Sequence, residues 1–233
     1  MAEPYKSISP FYMLVLVVST PLVSFAYYGM ALLFNSSPMP MYDYLVFTCI
    51  LGILITGAYQ VFFWTQNNNY FFKTRCLAIK LDDHIPFWPI WIWPYSFLYY
   101  LMIGMVVVEI NSLADGLYIA FGGIVLLLTQ CACFMIFPCR VPEGFRNYRV
   151  RGPSTRYLRF VQNLDNGRNC FPSMHNSVAV YVALVLVPTI GIWSYVFVAT
   201  IAISTVLVKQ HNVLDVVPGL VLGWGVHSLI SLL

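Results

Sequence analysis

The chain has 233 residues, of which 60% are hydrophobic and 9% charged, and its mean hydropathy is +0.76. A water-soluble domain carries roughly 25% charged residues, so this composition excludes an ordinary soluble globular protein. The formal net charge of +3 is too small for a nucleic-acid-binding surface. With no polar linker and no internal repeat to divide it, the chain reads as one integral membrane domain over 1–233.

A membrane-crossing helix needs about 20 mostly apolar residues. Seven segments meet that description: 11–34, 43–65, 88–110, 117–138, 173–192, 193–209 and 212–233. The expected fold is therefore all-α, a polytopic transmembrane bundle. The first segment follows Glu3 and Lys6 and stays apolar to Phe34, which favours a retained span over a cleaved signal peptide. The third is the least regular. It opens on Phe87-Trp88-Pro89-Ile90-Trp91-Ile92-Trp93-Pro94-Tyr95, a composition suited to the membrane interface, with the helix proper beginning near Pro94. Seven spans is the preferred count, and six applies if the third segment does not cross. Cys49, Cys76, Cys131, Cys133, Cys139 and Cys170 form no CxxC pair and no zinc-like spacing. Cys131 and Cys133 read as small packing residues, and no metal or cofactor is called for.

Charge supports seven spans. All twelve basic residues fall on one side: Lys6, Lys73, Arg75, Lys80, Arg140, Arg146, Arg149, Arg151, Arg156, Arg159, Arg168 and Lys209. The loops expected opposite, 35–41, 111–116 and 188–193, hold none. Basic loops normally remain cytoplasmic, which assigns this side to the cytosol.

Two polar clusters lie on that same side, where ionisable groups at span ends are costly and hence functional candidates. One is Asn169-Cys170-Phe171-Pro172-Ser173-Met174-His175, leading into the fifth span. The other runs from Ser204 to Asp215 between the sixth and seventh. His211 and Asp215 are four apart and would share a helix face, so the carboxylate can hold the imidazole's tautomer. Pro172 and Ser173 mark a helix start, whose first N–H groups favour an anion. Two such histidines divide naturally into nucleophile and general acid, with basic side chains stabilising phosphoryl oxygens. By contrast, His84 and His227 read as surface or packed residues. Asp82 and Asp83 read as solvated, with placement of the third segment as their alternative role. The arginine-rich stretch 140–168 has a second reading as a site for anionic headgroups.

Pro172-Ser173-Met174-His175 resembles the Pro-Ser-x-His signature of the type 2 phosphatidic acid phosphatase superfamily. Ser204, His211 and Asp215, at offsets zero, seven and eleven, resemble its third signature. The stretches Ile85-Pro86-Phe87 to Trp93-Pro94-Tyr95, and Asp165 through Asn169 to Pro172, look like the inositol phosphorylceramide synthase-like branch. The resemblance covers a core of about 80–225. It implies that His211 is a nucleophile forming a phosphohistidine, that Asp215 orients it, and that His175 protonates the leaving oxygen. It further implies that Ser173 binds a phosphate oxygen. Two departures stand out. Thr205 occupies the place of the family's arginine, with Lys209 as the nearest replacement charge. Glu143 and Gly144 stand where an Arg-Pro pair is expected, with Arg140 or Arg146 as the substitute. Sites of this family commonly face the periplasm or an organelle lumen, against the cytosolic side that the charges indicate.

The expected activity is metal-independent hydrolysis of a lipid phosphate or diphosphate. Transfer to a lipid or polyol hydroxyl is the alternative, and hydrolysis is preferred because water needs no acceptor pocket. A catalytically inactive lipid-phosphate binder is a further class. A transporter fits less well because the charges gather at one face, and a haem protein would need histidines facing each other on different helices. Membrane lipids are the expected surroundings, while oligomeric state is not encoded legibly.

Overall fold

The computed structural model describes residues 10–35, 37–164 and 167–233, with side chains from residue 18 onward. Glu3, Lys6 and Asp165, used above, lie outside the described residues. Regular structure among those described is helical: α1 (Pro10–Phe34), α2 (Met41–Asn68), α3 (Lys80–His84), α4 (Tyr99–Met105), α5 (Leu113–Ile136), α6 (Pro153–Leu164), α7 (Met174–Ile190), α8 (Trp193–Leu207) and α9 (Val213–Ile230). Among the described residues, four stretches are long and apolar enough to cross a membrane: Met41–Asn68, Pro89–Glu109, Leu113–Ile136 and Val213–Ile230. Val18–Phe34, Met174–Ile190 and Trp193–Leu207 are apolar but shorter. Leu22, Phe25, Leu33, Ile53, Val217 and Trp224 point their apolar side chains outward. Exposure on that scale suits lipid and would aggregate in water.

The irregular third segment behaves as its prolines require. A 3₁₀ turn over Pro89–Trp91 precedes a π-helical turn over Pro94–Leu98, and only then does α4 begin. Two helices were not anticipated. The short α3 lies in what reads as a loop, and α6 lies within the arginine-rich stretch. The latter is amphipathic and packs on the tryptophan segment. Trp93 stacks on Tyr157 with centroids 5.3 Å apart, and its indole N–H donates to Ser154 Oγ at 2.9 Å. Leu158 is buried together with Ile92, Tyr95 and Val208.

Helix α7 runs through the centre, with Ala179, Ala183 and Leu186 packed among Tyr99, Met102, Phe197 and Ile201. Because lipid is as apolar as such a core, close van der Waals packing rather than water exclusion holds membrane helices together. The α7–α9 seam shows this directly. Gly219 and Gly223, one turn apart, let α9 press on the α7 backbone. A Cβ at Gly219 would lie 2.5 Å from the Ser173 carbonyl oxygen, and one at Gly223 would lie 2.1 Å from that of Ser177. This seam brings the start of α7 against the start of α9.

Over that end of the bundle lies a cap of three crossing segments. Cys139 bridges in parallel to Arg75 on one side and to Asn169 on the other. The Arg75 N–H donates to Pro138 O and the Arg140 N–H to Arg75 O, each at 2.9 Å. Asn69 Nδ2 donates to Asn169 Oδ1 at 3.2 Å, tying the end of α2 to the same cap. These contacts carry Cys170 to the chain segment ahead of α9.

Candidate active site

The segment after α8 folds back on the helix it leaves. Val208 N–H donates to Ser204 O, while Gln210 and His211 N–H both donate to Thr205 O. The turn requires a left-handed residue, and Lys209 adopts it with φ 57°. Helix α9 then begins after Asn212, so His211 precedes the helix and Asp215 sits in its first turn. The expectation of a shared helix face is thus corrected. The two residues meet because the chain wraps into the helix, where Asp215 Oδ2 accepts from the Asn212 N–H at 2.9 Å.

His211 Nδ1 makes its hydrogen bond with the carbonyl of Cys170, at 3.1 Å, while Asp215 Oδ2 lies 3.6 Å away. A carbonyl oxygen only accepts, so the contact requires the proton on Nδ1 and leaves the Nε2 lone pair for chemistry. The carboxylate adds charge beside the ring, and its Oδ1 is buried with no hydrogen-bond partner among the described residues.

His175 enters from α7. The helix starts directly after Pro172 and Ser173, the pair read as marking its start. Ser173 is the N-cap, and its Oγ accepts from the Asn176 N–H and, at 2.9 Å, from Asn176 Nδ2. Asn176 Nδ2 also reaches Thr205 Oγ1 at 3.4 Å, which joins the two motifs. Ser173 and Thr205 are wholly buried. The His175 ring lies between two tyrosines, stacked on Tyr95 at 4.2 Å and tilted against Tyr99 at 4.8 Å. Its Nδ1 is 3.2 Å from the Tyr95 hydroxyl.

The two imidazoles face each other edge to face with centroids 6.0 Å apart. Between and around them is a cleft of about 40 Å³, walled also by Phe62, Tyr95, Val141, Cys170 and Gln210. One water needs roughly 10–15 Å³ of such space, so the cleft has room for a few water molecules. A second cleft of about 230 Å³ shares the Val141 wall and is lined by Thr74, Arg140, Glu143, Arg146 and Arg168.

The remaining sequence candidates divide. Arg140 and Arg146 line the second cleft, Arg140 paired with Glu143 at 3.2 Å and Arg146 Nη2 directed at Gln210 Oε1 at 3.5 Å. Neither Ser173 nor Lys209 lines either of these two clefts. The Lys209 ammonium donates to the Asp82 carbonyl at 2.5 Å and lies over the Phe145 ring. His84 is exposed, and His227 packs its ring edge-on against Tyr181.

Asp82 is a correction. It is buried, not solvated, because three chain segments converge on it. Its Oδ1 accepts from the Val213 N–H and its Oδ2 from the Ile79 N–H, each at 2.8 Å. It thereby anchors both ends of the His211 segment to α3. Its signal in the sequence is an acid beside an apolar segment in a charge-poor chain. Tyr95 and Arg168 also belong to the site neighbourhood and carry no comparable signal. Burial pushes the Cys139 thiol in the cap up to about 12, with the Asp215 charge adding to the effect and Arg75 opposing it. The cap thiol is therefore no nucleophile at neutral pH.

A family model described as the PAP2 superfamily matches residues 64–229, well over half of the chain and inclusive of His175, His211 and Asp215. No curated protein and no solved structure matches the chain significantly.

Proposed function

Since the chain belongs to the PAP2 superfamily, whose chemistry is of the phosphatase and phosphotransferase type, we propose that it hydrolyses a lipid phosphate through a phosphohistidine on His211. One observation carries the reading. Two histidines from separate segments line one cleft, and His211 has its Nδ1 held by a carbonyl so that Nε2 is the nucleophilic atom. In the first step Nε2 attacks phosphorus, the bond to the lipid oxygen breaks, and His175 delivers a proton to that oxygen. In the second step His175 takes a proton from water as the water oxygen attacks phosphorus. The P–N bond breaks, and phosphate leaves with His211 restored. Asp215 stabilises the charge that His211 gains, as an orienting acid does.

Met174 and His175, which follow the Ser173 N-cap, line the cleft, so their N–H groups at the start of α7 are the donors that this reading offers an anion. The seven-span arrangement accompanies this reading, with α1, α7 and α8 crossing beside the four longer stretches. The site then lies at the face carrying the basic loops. Residues 85–95 and 169–172 support placement near the inositol phosphorylceramide synthase-like branch, in which a lipid or polyol hydroxyl replaces water in the second step. A catalytically inactive binder is favoured by one observation, the wholly buried Thr205 where the family carries an arginine.

The test is phosphate release from phosphatidic acid, a polyprenyl diphosphate and a sphingoid phosphate by purified protein in detergent with EDTA. Wild type is compared with His211→Ala and His175→Ala. Release abolished by both substitutions supports the mechanism. Release that persists in His211→Ala sinks it.

A further inference from the structure

We infer that α6 lies in the headgroup layer of the surrounding bilayer and recognises anionic phospholipids through Arg149, Arg151 and Arg156. The occupant is a neighbouring lipid of the membrane rather than the substrate, whatever the role of His211.

The arginines of the stretch 140–168 divide by direction. Several are engaged within the protein. Arg159 Nη2 donates to Arg146 O at 3.1 Å and its guanidinium lies over the Tyr148 ring, while Arg168 Nη2 donates to Thr74 Oγ1 at 2.9 Å. Arg140 is paired with Glu143. Arg149, Arg151 and Arg156 are exposed, and their side chains have no hydrogen-bond, ion-pair or ring partner among the described residues. Three uncompensated cations thus stand together on the surface around the start of α6.

The helix itself says what they face. Residues four apart share a helix face. Leu158 and Gln162 take the inward face and are buried. Arg156, Phe160 and Leu164 follow one another on the outward face, where Phe160 and Leu164 are each 57% exposed. A surface that mixes free cations with large apolar side chains is that of a helix lying in a membrane interface. Its depth is set by its neighbours. The Phe160 ring is 6.2 Å from Tyr157, and Tyr157 is 5.7 Å from Phe97. Phe97 is exposed on the stretch Pro89–Glu109, which is long and apolar enough to cross a membrane. The outward face of α6 is therefore continuous with a lipid-facing surface. It joins that surface near Trp88 and Trp93, at the aromatic level where acyl chains meet headgroups. Phe160 and Leu164 then reach acyl chains, and the guanidiniums meet phosphates, which they bind through paired N–H donors. Positive charge favours lipids with a net negative headgroup over zwitterionic ones. The inward face carries the effect toward the cleft, because Leu158 is buried with Tyr95, whose ring stacks on His175.

The full chain is reconstituted in nanodiscs of phosphatidylcholine, alone or mixed with phosphatidylglycerol, and amide exchange over 153–164 is followed by mass spectrometry. One arginine near an anionic surface is worth about fivefold in binding, so wild-type exchange should slow about tenfold when phosphatidylglycerol is admitted. High salt should reduce the difference. The combined variant Arg149→Gln, Arg151→Gln, Arg156→Gln should lose it, and the corresponding Lys variant should largely keep it. These side chains are exposed and unpartnered, so the substitutions leave packing intact. Phe160→Ser with Leu164→Ser should speed exchange in both lipid mixtures, and no change there would take α6 out of the bilayer. Equal wild-type exchange in the two mixtures, or slowing that survives the three Gln substitutions, would overturn headgroup recognition. Protection that tracks protein concentration in lipid-free detergent would overturn it too, by assigning the face to a second copy of the chain.

Discussion

Tyr95 holds His175 in two ways at once, by a hydroxyl 3.2 Å from Nδ1 and by a ring stacked at 4.2 Å. The two residues are 80 apart in sequence, and Tyr95 is itself buried beneath α6 through Leu158 and Val208. The tyrosine therefore sets both the tilt of the imidazole and which ring nitrogen faces the cleft. Tyr95→Phe keeps the stack and removes one hydrogen bond worth about 1 kcal/mol. We expect kcat for phosphate release to fall roughly threefold to tenfold with little change in KM. Tyr95→Ala should fall further, and an unchanged kcat in both would separate Tyr95 from the reaction.

The two histidines should differ in what they leave behind. With a ³²P-labelled lipid phosphate and rapid quenching under alkaline conditions, wild type should show a transient phosphoprotein. His211→Ala should show none. His175→Ala should lose roughly 10²- to 10⁴-fold in rate, the usual span for a general acid, and still form some labelled enzyme with an activated leaving group such as p-nitrophenol. Label on His211→Ala would contradict the assignment.

The glycine seam offers a packing test that is independent of chemistry. Gly223→Leu drives a side chain into the Ser177 carbonyl, whereas Gly225 has nothing within 4 Å of its added Cβ. Overpacking of this kind costs roughly 1–3 kcal/mol. Gly223→Leu should lower the melting temperature in detergent and reduce activity, because the α7–α9 contact aligns His175 with His211. Gly225→Leu should do neither. Equal behaviour of the two variants would remove the seam from the account.

Asp82 is expected to matter although it lines neither cleft. Asp82→Ala strands the N–H groups of Val213 and Ile79, each formerly bonded to a carboxylate at 2.8 Å. A hydrogen bond to a charged group contributes about 1.5–3 kcal/mol, so destabilisation should exceed that of the neighbouring Asp83→Ala, whose side chain is exposed. Thermal melts of the two variants decide it. A loss of activity larger than the loss of folded protein would show that Asp82 positions the His211 segment.

Thiol chemistry reports on the cap. Cys139 is buried, with its thiol raised to about 12, whereas Cys76 is exposed. At pH 8 a thiol with that value is only about one part in 10⁴ thiolate, and thiolate is the reactive form. Maleimide at pH 8 should therefore label Cys76 and spare Cys139 until the protein is denatured, as peptide mass spectrometry would show. Fast labelling of native Cys139 would mean that the cap over Cys170 and His211 is open.

The membrane setting and the helical class were legible in the sequence, and Ser173, His175, His211 and Asp215 could be singled out there as candidates, because hydropathy and short spacings are local properties that survive without a fold. What holds those residues was not. The acceptor for His211 Nδ1 is the backbone carbonyl of Cys170, a group every residue possesses and no sequence can mark. Helical spacing suggested the nearness of His211 to Asp215, but the chain achieves it by wrapping into α9 from outside. Lys209 looked like a charge for the cleft, yet its left-handed turn sends the ammonium to Asp82. Asp82 looked solvated because its partners at Val213 and Lys209 lie about 130 residues away. Direction, burial and the separation of two clefts depend on which distant segments are pressed together. That is decided by packing, at the glycine seam of α7 and α9 and in the cap of Arg75, Cys139 and Asn169.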